Sequence, residues 1–481
     1  MSRFLLYRMV EKLFGFRLES LFGLFIFRMF FNQMARSHFS IVGDDKRSIW
    51  EELRCKEVNE DFNSHIRKLF AVGSLSFENS METSIRGINC ILAIAQGLRD
   101  ESDYDFLQRY IKCCYYHTKL CPDLYIKRTG FKLRDESNNH RLYNLLFLQF
   151  YGIHRGEQSS FSAIEAFVNK RLASDYFYDE GASFYHYGVI DGLLKLRSYA
   201  RSKKLEKSFS SSFNDFLDKS DTNLRIFRDL NFGDRDGTII APWMTTNAPF
   251  SVYVHDIDTD KFFLSVSGAN TLCIRKENWC DLGTQGHVHD DFGQLIYKSP
   301  DANLIDPGVF KYSEEPFLSK KKFHNFPYDR EFPEIHYVRK FERQVPRNKY
   351  IDTNETGITL REIGNGRSLT REFNPRNWCV DDYVVSDITQ DVSISWRFLL
   401  EGAIDVAAQQ SQIDQFINVG KSIQFKLHPD AFFRICQSQY YPEYGKSNSC
   451  RALLINLKMK IEKEKKIKLL TVSFRRYKEA G

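Results

Sequence analysis

From about residue 45 to residue 230 the apolar positions recur every three or four residues, as in INCILAIAQGLRD, DFLQRYIKCCYYH, LYNLLFLQFYGIH, AIEAFVNKRLA and VIDGLLKLRSYA. That is the period of helices with one buried face. After Phe232 the pattern changes to short stretches rich in Val, Ile, Phe and Tyr with turn residues between them, among them GTIIAPW, FFLSVSG, NLIDPG, ISWRFLLEGAID and SIQFKLH. These predict strands. The last stretch, RALLINLKMK followed by EKEKK and IKLLTVSFRRY, predicts a closing hairpin with a charged turn. Helices followed by strands, rather than alternating with them, imply separate all-α and all-β layers and argue against a doubly wound sheet.

The change of pattern falls near FGDRDG at 232–237, which divides the chain into an N-terminal amphipathic segment (1–44), a helical domain (45–231) and a strand domain (232–481). A chain of 481 residues has room for two or three cores. In the first segment Arg8, Glu11, Lys12, Arg17, Glu19 and Arg28 interrupt every apolar run. This excludes a spanning helix, which needs roughly 20 mostly apolar residues, and the uncharged core of a signal peptide. The expectation is a basic amphipathic segment packed on the body of the protein, with peripheral membrane contact as the alternative. Ten cysteines form no framework and no CxxC pair, Cys113 and Cys114 being adjacent. That favours a reducing compartment and a cytoplasmic location, with membrane association as the alternative.

Composition changes the picture in two respects. Aromatic residues make up 15% of the chain, with 42 Phe and 24 Tyr, which suits a carbohydrate cleft as well as an ordinary core. The net charge of +6 is spread along the chain, so it permits an acidic partner without requiring one. No zinc-finger spacing, RNP-like strand or recognition helix supports nucleic acid as a partner.

Three polar clusters carry candidate chemistry. The first is Ser137, Asn138, Asn139, His140 and Arg141, in a polar stretch between helices and downstream of Lys127, Arg128, Lys132 and Arg134. Such a loop can present amide, imidazole and guanidinium donors to a carboxylate, and reads equally as a solvated loop whose Asn residues cap the next helix. The second runs from Tyr178 to Tyr187 and holds Asp179, Glu180, Tyr185 and His186 at the start of the helix VIDGLLKL. Its aromatics can floor a sugar cleft and bring a phenol to a reacting carbon, or simply fill a core. The third is GHVHDDFGQLIY from Gly286, followed by LIDPGVFKY and FHNFP. In an extended strand His287 and His289 share a face, and Asp306 and His324 can join one of them around a divalent ion. Two imidazoles and a carboxylate suit zinc or manganese.

Taken in order, NNHR at 138–141, EGASFYHYG at 180–188, FGDRDG at 232–237, GHVHDDF at 286–292, LIDPGVFKY at 304–312 and HN at 324–325 resemble the landmarks of heparinase II/III-like polysaccharide lyases. The resemblance runs over roughly residues 130 to 330. It implies an α/α toroid, incomplete in so short a chain, followed by an antiparallel β-sandwich. By position, Asn139 and His140 match the pair that neutralises the uronate carboxylate and can supply a base, Tyr185 the catalytic tyrosine, and His287 the catalytic histidine of the sandwich. His289, Asp306 and His324 match a metal set, expected to fix the sandwich loops rather than perform chemistry. Lys320, Lys321 and Lys322 before His324, and Asp290 beside Asp291, depart from the pattern and bear on the third metal ligand.

The implied partner is an acidic, uronic-acid-containing polysaccharide, whether heparan-like, alginate-like or a bacterial capsular or exopolysaccharide. The implied reaction is β-elimination. Because the C5 hydrogen of a uronic acid is a poor acid, the neighbouring carboxylate must be neutralised before a base can remove it. Tyr185 would need cationic donors to act as a phenolate, its unperturbed pKa being about 10. A uronyl C5-epimerase, which reprotonates the same intermediate on the other face, and a non-catalytic glycan-binding protein of a polysaccharide biosynthesis system share these residues. A glycosidase fits less well, since it needs two placed carboxyl groups. A serine hydrolase lacks its GxSxG elbow.

Overall fold

The computed structural model describes residues 80–95, nine positions between 104 and 119, 124–127, 130–133, 139–157, 160–171, 183–205, 209–230, 255–259, 262–276, 289–308, 320–334, 336–339, 342–344, 348–354, 356–401, 406–410, 415–443 and 446–475. The chain divides into two compact units, one made of residues 1–171, 188–224 and 237–247, the other of 172–187, 225–236 and 248–481. Among the described residues no helix is long and apolar enough to cross a membrane.

Helices α1 (Ser80–Ala95), α2 (Asn139–His154), α3 (Ser162–Arg171) and α4 (Ser183–Ser202) carry four of the five periodic stretches quoted above, and α5 (Ser211–Asp229) follows them. Helix α1 lies against α2, and Gly87 sets how closely. A Cβ there would fall 2.2 Å from Cε2 of Phe147, so only glycine lets that ring seat. Buried polar groups here are paired: Ser84 donates to Oδ1 of Asn144 at 2.8 Å and shares a hydrogen bond with Thr118 at 3.0 Å. Phe150 stacks on Tyr199 at 5.5 Å, and Phe161 meets Phe209 edge-on at 4.5 Å. Within α4 the buried Lys195 and Asp191, one turn apart, form an ion pair. The polar stretch upstream of Asn139 is not all loop. Strands β1 (Leu124–Lys127) and β2 (Gly130–Leu133) make a small antiparallel hairpin there.

The second unit holds two eight-stranded antiparallel sheets. With β3 (His255–Asp258), β5 (Asn270–Arg275), β15 (Val406–Gln410) and β16 (Gln415–Val419) counted in, and β8 (His336–Arg339) and β9 (Glu342–Gln344) paired as a separate ribbon, one has the order β10-β11-β12-β13-β20-β17-β16-β15, the other β18-β19-β14-β7-β6-β5-β4-β3. The strands that matter below are β4 (Phe262–Ser267), β6 (Leu295–Lys298), β7 (Asn303–Ile305), β10 (Lys349–Asn354), β11 (Gly357–Gly364), β12 (Arg367–Asn374), β13 (Cys379–Ser386), β14 (Gln390–Glu401), β17 (Ile423–Leu427), β18 (Phe432–Glu443), β19 (Lys446–Ile461) and β20 (Ile467–Phe474). Alternation places them: β13 buries every second residue, so its odd positions face water and its even positions the core. Strand β4, whose sequence FFLSVS is buried throughout, lies covered on both faces. Phe263, Leu272 and Trp396 of one sheet and Leu360, Val380 and Val472 of the other belong to a single apolar core, which makes this unit a sandwich.

The expected closing hairpin does not form. Strand β19 pairs with β14 and β18, whereas β20 pairs with β13 and β17 in the other sheet. The charged segment between them is an arch from one layer to the next. Both strands alternate well, and alternation fixes which residues face inward but not which strand is the neighbour.

Candidate metal centre and catalytic residues

Three turns of the sandwich bring His289, Asp306 and His324 together. His289 precedes β6 in an irregular segment that turns at Gly293, whose φ is +71°. Asp306 follows β7, and its Oδ1 accepts the Gly308 amide at 2.8 Å. Gly308 itself is obligatory: its φ is +64° and a Cβ would lie 2.1 Å from the Tyr441 carbonyl oxygen. His324 follows a 3-10 turn, Lys321–Phe323.

Asp306 Oδ2 lies 3.4 Å from His324 Nδ1, and its Oδ1 lies 3.9 Å from His289 Nδ1. One donor atom from each residue falls within 4.8 Å of the others, and all three side chains are buried. Both ring nitrogens of His324 and Oδ2 of Asp306 are buried without a hydrogen-bond partner. Leaving such groups unsatisfied costs about 1–3 kcal/mol each, and a cation between them would remove that cost. The donor set therefore fits a divalent ion, with one carboxylate and two imidazoles at a spacing that small side-chain shifts would close to metal–ligand bonds of about 2 Å.

The loops carrying these ligands are tied to the other sheet by buried charge. Arg371 of β12, fully buried, donates to the Gly293 carbonyl at 2.7 Å, to Asn325 Oδ1 at 3.2 Å, to the Asn325 carbonyl at 2.8 Å, and through two nitrogens to Asp382 at 2.7 Å each. Asn325 in turn accepts the Leu295 amide at 2.8 Å and donates to its carbonyl at 2.7 Å, while its own amide donates to Gln294 Oε1 at 2.8 Å. The departures noted in the sequence find partners here. Lys321 is paired with Glu362 of β11, Asp290 with Lys349 of β10 at 2.5 Å, and Asp291 with Arg275 at 3.1 Å. Burial works to raise the Asp290 carboxyl, but the Lys349 and Lys321 ammonium groups hold it below its ordinary value. Burial and the nearby Lys349 push the Lys321 ammonium down. Lys321 thus anchors the loop before His324, which stands within the candidate metal set.

The proposed catalytic residues are distributed differently. Helix α2 begins at Asn139, so Asn139 and His140 form a helix start and not part of an interhelical loop. His140 is half-buried, and the side chain of Asn139 lies outside the described residues. Tyr185 stands in the first turn of α4, two residues after its start at Ser183, and is 7% exposed. Its neighbour His186 is depressed to about 3 by burial and is neutral at physiological pH. His287 lies outside the described residues. Sequence reasoning missed Arg371, Asn325 and Gln294 as supports of the centre. The available signal was an arginine in the middle of the strand RSLTREFN, where alternation predicts core, but its partner could not be read.

No protein-family model and no curated protein matches the sequence. Solved structures do match. A heparan sulfate lyase HepC mutant from Pedobacter heparinus superposes with a TM-score of 0.54 at 13% identity, covering 88% of this chain and 71% of its own. A protein described as heparinase III-BT4657 gene product gives a TM-score of 0.55 at 13% identity over 88% of this chain and 73% of its own. Another described as heparinase III gives 0.54 at 12% identity over 82% and 69%. Identities this low speak for architecture and not for substrate, and on that architecture the chain has a heparinase-like lyase fold.

Proposed function

We propose that this protein is a lyase that cleaves an acidic, uronic-acid-containing polysaccharide by β-elimination. The observation that carries the reading is the buried His289–Asp306–His324 cluster, set in a fold shared with structures described as heparan sulfate lyase and heparinase III. In this reading residues 45–231 form an incomplete α/α toroid, 232–481 the sandwich domain, and 1–44 an amphipathic segment.

Asn139 binds the uronate carboxylate and withdraws charge from it, with His140 or His287 assisting, which lowers the cost of forming the enolate-like intermediate. Tyr185 or His140 removes the C5 proton, and Tyr185 returns a proton to the glycosidic oxygen as that bond breaks. The buried state of Tyr185 supports a role inside a water-poor site. His289, Asp306 and His324 would hold zinc or manganese, whose fixed charge, when bound, ties the three loop segments into one geometry. Its place is structural, beside His287 in sequence and not in substitution for it.

The test is incubation of uronate polymers with the full-length protein in deuterated water. Shortened chains with an unsaturated end that absorbs ultraviolet light support the lyase. Deuterium at C5 with unchanged chain length identifies an epimerase instead, and binding without any turnover overturns the enzymatic reading.

A further inference from the structure

Strands β14, β19 and β18 are consecutive at one edge of their sheet, and their register fixes what the outer face presents. Asp391 sits opposite Lys460, Ser393 opposite Lys458, Ser395 beside Asn456 and Phe432, and Arg397 beside Leu454 and Arg434. The alternate residues, Val392, Ile394, Trp396 and Phe398, are buried in the core, so this set faces away from it. Phe432 is 81% exposed, an unusual position for a phenylalanine in an edge strand. Arg434, Lys458 and Lys460 are exposed as well.

Among the described residues no carboxylate pairs with Arg397, Arg434, Lys458 or Lys460, and Asp391 is the acid set among them. Arg397 is held ready: its Nη2 donates to Ser438 Oγ at 2.9 Å, and its guanidinium lies 5.3 Å from the ring centroid of Phe323. Burial lowers its pKa, because desolvation penalises the charged form. Phe323 immediately precedes the metal-set residue His324 in sequence. From the Arg397 row to Lys460 the outer face spans six residues, about 20 Å of strand.

We infer that this outer face of β14, β18 and β19 is a second binding surface for the acidic polysaccharide, with Phe432 stacking on a sugar ring and Arg397, Arg434, Lys458 and Lys460 taking its anionic groups. The inference rests on the polysaccharide reading above. Four cations against one acid select an anionic chain, and one exposed ring flanked by the Asn456 amide suits the mixed apolar and hydroxyl character of a sugar. Carboxylate and sulfate offer the same forked oxygens to a guanidinium.

The test compares wild type, Phe432→Ala and the double variant Lys458→Ala, Lys460→Ala in the full-length chain. Binding of heparan sulfate, of alginate as an unsulfated polyuronate, of neutral dextran and of single-stranded poly(dT) is measured by calorimetry. Unfolding midpoints within a degree of wild type establish that each variant is folded. The expected result is a loss of at least tenfold in acidic-glycan affinity for the lysine double variant, and a similar loss for Phe432→Ala on glycan but not on poly(dT). Loss confined to heparan sulfate assigns sulfate as the recognised group, and loss on both polymers assigns carboxylate. Wild-type glycan affinity in both variants, or equal losses on poly(dT), overturns the proposal. Wild-type binding without eliminated product sinks the lyase reading and leaves this surface standing, whereas turnover with variant-insensitive binding does the reverse.

Discussion

The Arg371 guanidinium meets Asn325 at two atoms, its side-chain carbonyl at 3.2 Å and its backbone carbonyl at 2.8 Å, and the same guanidinium reaches the Gly293 carbonyl at 2.7 Å. Asn325 adjoins His324, and Gly293 lies four residues after His289. One side chain from the opposite sheet therefore sets the separation of two metal-set loops. Arg371→Lys cannot span these acceptors with a single ammonium. Supports of this kind typically govern metal affinity about 10- to 100-fold. A loss in that range is expected for zinc, measured by competition with a chromophoric chelator, and cobalt substitution should give an altered visible spectrum.

Removing the ligands themselves should act more completely. Zinc at a hundred times its dissociation constant adds about 2.7 kcal/mol to the stability of a protein that binds it only when folded. The wild-type chain should thus unfold at a higher temperature with zinc than with chelator. Asp306→Ala and His324→Ala should unfold at the same temperature in both. A zinc-induced rise that survives in Asp306→Ala would remove this carboxylate from the set.

His186 provides a pH signature. Folded, it takes a proton only near pH 3; unfolded, at its ordinary value of about 6.5. Through that window the unfolded chain binds more protons, so the contribution of His186 is present in full above pH 6.5 and declines as pH falls toward 3. His186→Gln should flatten the fall in unfolding midpoint between pH 7 and pH 4. An unchanged slope would mean the imidazole is solvated.

Tyr185→Phe removes one oxygen from a residue that is 7% exposed and leaves the ring in place. General acid–base groups contribute about 10²- to 10⁴-fold to rate. Turnover on the responsive polymer, followed by ultraviolet absorbance, should drop by that factor while polymer binding is retained. A variant with wild-type turnover would assign the proton transfers elsewhere.

In the helical half, Gly87→Ala should destabilise by about 1–3 kcal/mol, because the added methyl forces the Phe147 ring out of its seat between α1 and α2. Chemical denaturation measures it. Gly156→Ala is a useful contrast, since nothing lies within 4 Å of its added Cβ and only its φ of +76° resists the change.

Periodicity made the broad plan legible. Stretches such as LYNLLFLQFYGIH and SIQFKLH each impose one repeat, and they fold as α2 and β17. Strand partners were not legible, as β19 and β20 demonstrate, because pairing depends on which layer the chain enters after a turn. The grouping of His289, Asp306 and His324 could be reached from ligand chemistry and family order. Arg371 could not, since beyond its ion pair with Asp382 the groups it holds in the metal-set loops are two backbone carbonyls and the Asn325 amide oxygen, which leave no charge pattern in the sequence. Lys321 before His324 looked out of place until Glu362 and Asp290 supplied buried countercharges from segments that spacing does not connect.

Strand β20 lies between β13 and β17, joining β10 to β13 on one side with β15 to β17 on the other. During synthesis those two groups of strands emerge well before their shared neighbour and have no hydrogen-bonded bridge until Ile467–Phe474 leaves the ribosome. Each group must wait with an open flank, so a stalled or prematurely terminated polypeptide would expose two adhesive edges at once and be a strong client for chaperones.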